Sequence, residues 1–116
     1  MEDCLFCRIV RGEIPSDRVY EDEDFIVFHD IHPVAPVHVL LVPKRHFADV
    51  LDLGRGSEGP AVAAALARAL PSVAAAVGLP DGGFRLLTNC GEEVGQTVLH
   101  LHWHLLGGKT LGPRIL

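Results

Sequence analysis

At 116 residues and 12.5 kDa the chain has the size of one domain, enough to build a single hydrophobic core without disulfide staples. Hydrophobic residues at 48%, charged residues at 22% and a mean hydropathy of +0.27 exclude intrinsic disorder. A formal charge of -5 excludes a basic face able to hold a nucleic-acid backbone, so no nucleic-acid partner is expected. The Ala-rich uncharged stretch Ala69 to Pro80 is broken by Pro71 and Gly78 and falls short of a bilayer span, and the acidic start Met1-Glu2-Asp3 does not read as a secretory leader. A cytoplasmic protein without a membrane partner is expected. Three cysteines make a poor disulfide framework, and Cys4-x-x-Cys7 reads as free thiols or half of a metal site.

In chain order, Leu5, Phe6, Ile9 and Val10 have helical spacing and Gly12 follows as a stop, which predicts a short helix over Cys4 to Val10. Val19-Tyr20 and Phe25 to Phe28 flank the acidic turn Glu21-Asp22-Glu23-Asp24 and predict a hairpin. His38 to Pro43 is a β-rich run suited to burial on both faces, hence to the middle of a sheet. The glycine-rich stretch Gly54 to Pro60 reads as a loop leading into a long helix over Ser57 to Val77, with Ser57 as its cap, Pro71 as a possible kink and Gly78 as its end. Phe84 to Thr88 and Val98 to Leu106 read as two more strands. The sum is an α+β domain, residues 1–116, with its helices on one face of an antiparallel sheet.

The chemistry concentrates in His100-Leu101-His102-Trp103-His104. On a strand these three imidazoles share one face, with about 6.5–7 Å between successive Cα atoms, while Leu101, Trp103 and Leu105 take the other. A sheltered imidazole needs partners for both ring nitrogens, so such a face admits metal-binding, catalytic and coincidental readings alike. The preceding loop, Asn89 to Thr97, adds two glycines, and backbone N–H groups near Gly95 to Thr97 with the Thr97 hydroxyl are suited to a small anion.

Together these residues resemble the histidine-triad family, in its branch of small nucleotide-binding phosphoramidases. The resemblance rests on Asn89-x-Gly91-x-x-x-Gly95-Gln96-Thr97-Val98-x-His100-x-His102-x-His104-Leu105-Leu106-Gly107-Gly108. It continues upstream in Cys4 to Pro15, Tyr20 to Glu23, Phe28 to Ile31 and Ala35 to His46. It implies an α+β histidine-triad fold: an antiparallel sheet of about five strands, one long helix and a short N-terminal helix, with the sheet continued across a homodimer. The implied activity is hydrolysis of the P–N bond of purine nucleoside phosphoramidates, without a catalytic cofactor. His102 would attack the α-phosphorus, His104 and His38 would bind the phosphate, and His100 or a strand carbonyl would fix the tautomer of His102.

Asn89, Gly95, Gln96 and Thr97 would complete the phosphate cradle, Asp30 would bind the ribose, and Leu5, Phe6, Ile9, Phe28 and Ile31 would surround the base. Ordinary core packing explains those five apolar residues equally well. The family also implies structural zinc on Cys4, Cys7, His46 and His100, a Cys2His2 set of tetrahedral composition. Two departures stand out: Thr97 replaces the serine usual in this branch, and the tail Thr110 to Leu116 has no aromatic residue. Other readings are a dinucleoside polyphosphate hydrolase or nucleotidyl transferase on the same triad, a zinc site on His100, His102 and His104 themselves, and a nucleotide-sensing or interaction module.

Overall fold

The strands are ordered by a tight hairpin at one end and by the histidine-bearing segment at the other. A computed structural model describes residues 3–116. Its elements are α1 (Leu5–Val10), β1 (Arg18–Glu21), β2 (Phe25–His29), β3 (Val37–Pro43), α2 (Val50–Arg55), α3 (Gly59–Ala76), β4 (Phe84–Leu87), a 3-10 turn at Glu92–Val94, and β5 (Trp103–Gly107). The five strands form one antiparallel sheet in the order β1-β2-β3-β5-β4, so β3 is central, as its two-sided apolar run predicts.

Local chemistry explains the ends of these elements. Cys4 caps α1, its Sγ accepting from the Cys7 N–H at 3.3 Å. In the β1–β2 turn, Asp22 Oδ1 accepts from the N–H groups of Asp24 and Phe25, each at 2.8 Å, while the Tyr20 hydroxyl donates to Asp22 Oδ2. That side chain replaces backbone partners the turn would otherwise lack.

Alternation sorts the core into two layers. Phe25, Val27, Val39, Leu41, Leu101, Trp103 and Leu105 pack against Val62, Ala65, Ala69 and Val73 of α3. Ile26, Phe28, Leu40 and Val42 face the other way, against Phe6 and Ile9 of α1. The expectation of helices on one face is thus corrected: α1 covers the second face, because β2 and β3 present apolar side chains on both.

Two further expectations change. The stretch before the long helix is not all loop: α2 begins at the Asp49 cap, whose side chain accepts from the Asp52 N–H at 2.9 Å, and Asp52 Oδ2 accepts from the Ala48 N–H at 2.8 Å. Ser57 does not cap α3, which starts at Gly59 after Glu58, with no side-chain cap bond. Packing sets that start, since a Cβ on Gly59 would lie 2.1 Å from the Leu53 carbonyl oxygen of α2. The helix runs through Pro71 as a single element.

By length and mean hydropathy, 1.3, α3 would suffice to cross a membrane, although its Val62, Ala65, Ala69 and Val73 side is buried in the core. The last strand begins at Trp103 rather than Val98. Residues 98–102 leave the ladder because the Pro43 carbonyl is taken by the His100 ring at 2.8 Å, and the Leu101 N–H bonds the Phe47 carbonyl at 2.7 Å.

Candidate active site and neighbouring metal-ligand cluster

The face of the sheet under α1 carries the histidines, and the hydrogen bonds of each ring assign its tautomer. His102 lies just before β5. Its Nδ1–H donates to the His100 carbonyl at 2.7 Å, which leaves the Nε2 lone pair free. The expectation of a strand carbonyl or His100 as holder resolves to the carbonyl of His100. The Thr88 hydroxyl donates to the His102 carbonyl at 2.7 Å, and the Phe6 ring meets the His102 ring edge-on at 5.0 Å, so backbone and ring are both fixed.

His104, on β5, and His38, on β3, form a directional pair. The Val34 N–H donates to His38 Nδ1 at 3.1 Å, so the His38 proton resides on Nε2. That N–H donates to His104 Nδ1 at 2.9 Å, with Asp30 Oδ2 at 3.3 Å as a second acceptor. The proton of neutral His104 therefore sits on Nε2. His38 is expected at the phosphate; without a ligand both of its ring nitrogens are engaged within the protein.

Burial holds the imidazoles neutral. It lowers His102 below its usual range, against the opposing pull of the His100 carbonyl bond. Burial, reinforced by the neighbouring His102 and His38, lowers His104 to about 4, with Asp30 acting in the other direction. Burial lowers His38 as well.

The sign for stability follows. A histidine whose folded value lies below its unfolded one, about 6.5, leaves the unfolded chain binding more protons as pH falls. Folding stability should therefore decrease from about pH 6.5 downward and level off near pH 4, the value for His104. Calorimetric Tm values between pH 7 and 5, above most carboxylate titration, check this; a Tm constant over that range would contradict neutral buried rings.

His102 and His104 open onto a cavity of about 430 Å³, a volume within the range of small-molecule sites. Leu5, Phe6, Ile9, Phe28, Asp30, Ile31, Gly95, Thr97, His102 and His104 all line it. Phe6, Ile9 and Phe28 are buried, whereas Leu5 and Ile31 are exposed and belong to the rim. Gly95 has φ +98°, a conformation that suits glycine and bends the loop beside the cavity.

Asn89 and Gln96 do not line this cavity. Gln96, expected in the phosphate cradle, bonds within the protein: its amide nitrogen donates to the Ala48 and Val98 carbonyls at 2.8 and 3.1 Å, and its oxygen accepts from the Gly91 N–H at 2.9 Å. Sequence reasoning missed Thr88, whose role depends on strand pairing and has no local signal. It also missed Pro15, Ser16, Asp17, His29 and His32, which line the cavity as well.

Beside the cavity, on the other side of Phe6, lie Cys4, Cys7, His46 and His100, whose donor atoms all fall within 4.8 Å of one another. His100 donates its Nε2–H to Pro43, so its Nδ1 lone pair faces Cys4 Sγ at 3.3 Å and Cys7 Sγ at 3.5 Å. His46 Nδ1 is 3.3 Å from Cys7 Sγ. Zinc bonds of about 2.3 Å to sulfur and about 2.0–2.1 Å to nitrogen set a tetrahedral S–N edge of about 3.5 Å, so the donor set fits that ion with little movement. The second-sphere bond from His100 to a backbone carbonyl is the usual way such a ligand is oriented. Burial and the adjacent Cys4 push the Cys7 thiol up to about 11, so a cation would have to displace a firmly held proton.

A three-histidine zinc site on His100, His102 and His104 is not formed. Their Nδ1 atoms point to three different partners: the cysteines, a carbonyl and His38.

An antiparallel sheet that delivers three alternating imidazoles beside a nucleotide-sized cavity defines a histidine-triad architecture. Residues 11–111 match the HIT domain family, and the chain belongs to it. It is 41% identical over 118 aligned positions to the purine nucleoside phosphoramidase of Escherichia coli K12, covering 98% of this chain and 94% of that protein. An uncharacterised HIT-like protein of Azospirillum brasilense is 46% identical over 112 positions, covering 96% of this chain and 90% of its own length. Among solved structures, a HIT family hydrolase from Clostridium thermocellum superposes with a TM-score of 0.91 at 46% identity, covering 100% of this chain and 99% of the other.

Proposed function

We propose that this chain hydrolyses the P–N bond of purine nucleoside 5'-phosphoramidates through a nucleotidyl intermediate on His102. The observation that carries the reading is the tautomer of His102, Nδ1–H on the His100 carbonyl at 2.7 Å with a free Nε2 at the cavity. The similarity to a phosphoramidase along almost the whole chain supports the same chemistry.

In the first half-reaction His102 Nε2 attacks the α-phosphorus, an N–P bond to the ring forms, and the bond to the leaving amine breaks. The amine departs with a proton. A phosphate anion beside His104 opposes the effect of burial and favours its charged form; the His38 Nε2–H then turns to its second acceptor, Asp30 Oδ2, so that His104 Nδ1 carries the added proton and Nε2 donates its own to the amine as general acid. In the second half, water attacks the phosphorus, His104 recovers a proton from it, and the nucleoside monophosphate leaves with His102 restored. His38 keeps His104 turned to the phosphate, Asp30 accepts hydrogen bonds from the ribose hydroxyls, and Gly95 and Thr97 approach the phosphate from the loop. Purine bases would occupy the slot of Phe6, Ile9 and Phe28.

Zinc, where bound, would act as a clamp that holds α1 and the His100 backbone in place. The outward side of α3, rich in exposed Ala61, Ala63, Ala64 and Ala67, and the open edge at β4 support a homodimer as the working form.

The test is direct. Rapid acid-free quenching of turnover with a 32P-labelled adenosine phosphoramidate, followed by peptide mapping, should find label on His102. Label on another residue, or none during turnover, would exclude the covalent route.

A further inference from the structure

The nucleotide reading leaves one buried polar atom beside the cavity without a task. Ser16 lies in the segment between α1 and β1, and its Oγ is the single buried side-chain nitrogen or oxygen among the described residues that has no hydrogen-bond partner. A buried hydroxyl in that condition has lost its water and gained nothing in return, and native structures rarely keep one without a reason. Ser16 lines the same cavity as His102 and Asp30.

The other polar side chains of that cavity either have a place in the nucleotide reading or, like Asp17, His29 and His32, are exposed to water. His102 and His104 face the phosphate, and Asp30 is tied by the His32 N–H at 2.8 Å and by His38 at 3.3 Å, next to the ribose position. The buried wall of the base slot, Phe6, Ile9 and Phe28, has no side-chain hydrogen-bonding atom. The segment carrying Ser16 is held against that slot: the His29 N–H bonds the Asp17 carbonyl at 2.9 Å, and Arg18 reaches the Ile9 carbonyl at 3.4 Å. A change of one staggered rotamer about Cα–Cβ is enough to re-aim the hydroxyl.

We propose that Ser16 is a base-recognition residue, its Oγ hydrogen-bonding the polar edge of a purine held between Phe6, Ile9 and Phe28. This rests on the reading of the cavity as a nucleotide site. A hydroxyl both donates and accepts, so it matches the edges of adenine and guanine alike. The missing partner in the free protein is thus the ligand's base.

Isothermal titration of the full chain and of its Ser16→Ala variant with adenosine 5'-monophosphate and with ribose 5-phosphate tests this, alongside the Tm of each protein without ligand. The variant should bind adenosine monophosphate about three- to tenfold more weakly, the effect of losing one neutral hydrogen bond. Its affinity for ribose 5-phosphate should be unchanged. Its ligand-free Tm should be equal or higher, because the substitution removes an unsatisfied group.

Unchanged affinity for adenosine monophosphate overturns the assignment, as does an equal loss for ribose 5-phosphate, which would place the hydroxyl at the sugar or phosphate. A clear fall in Tm would assign Ser16 a structural role instead. If the parent protein binds no adenosine monophosphate at all, the nucleotide reading itself fails, and that result is distinct from every failure of Ser16 alone.

Discussion

Replacement of His102 by alanine is expected to lower kcat on an adenosine phosphoramidate by about 10⁴-fold or more, with little change in Tm. The size of the effect follows from the role: without the nucleophile no N–P adduct forms, and the remaining groups can only assist direct attack by water. His104 and the loop still bind the phosphate, so affinity for adenosine monophosphate should change by only a few-fold. The ring is buried beside Phe6, and its truncation leaves a small void next to the cavity, which keeps the stability effect modest. The comparison of kcat with ligand affinity separates a nucleophile from a residue that merely shapes the pocket. Parallel losses in both would point to the second.

Cys7→Ser is expected to produce the largest change in stability. With free zinc a thousandfold above its dissociation constant, binding to the folded chain alone contributes about 4 kcal/mol. For a domain of this length that corresponds to a Tm lower by roughly 15 °C in the variant. The parent treated with a strong chelator should fall to nearly the same Tm, and readdition of zinc should restore the parent and not the variant. Metal analysis should give one zinc per parent chain.

The consequence extends to the catalytic ring, because Cys4-Leu5-Phe6-Cys7 contains both thiols and two cavity residues. The carbonyl of His100, the fourth member of the cluster, also holds His102. A Tm insensitive to chelator, in a protein that contains no zinc as purified, would leave the four residues as a packed thiol–imidazole cluster.

The positions of the strands and of the short first helix were readable from residue type and spacing, because β-branched runs and alternating burial are local properties. Helix α2 had a usable signal in Asp49 and Asp52, which the glycine-rich composition around it obscured. The start of α3 had none: it is fixed by contact of Gly59 with the Leu53 carbonyl, between residues whose approach depends on how two helices pack. Likewise the early departure of residues 98–102 from the ladder reflects the capture of the Pro43 carbonyl by a side chain 57 positions away.

Of the site, the sequence by itself determined that two thiols are one helical turn apart, that three imidazoles alternate with Leu101 and Trp103, and that a glycine-bearing loop precedes those imidazoles. Periodicity along a single segment suffices for each. Only the tertiary structure decided which nitrogen of each ring is free, that the His38 ring meets His104, that the Gln96 side chain bonds within its own loop and to the Ala48 carbonyl, and that Ser16 joins the cavity. Those facts depend on strand order and register, which bring distant carbonyls, amides and rings within hydrogen-bond distance, and no single segment of the chain encodes such meetings.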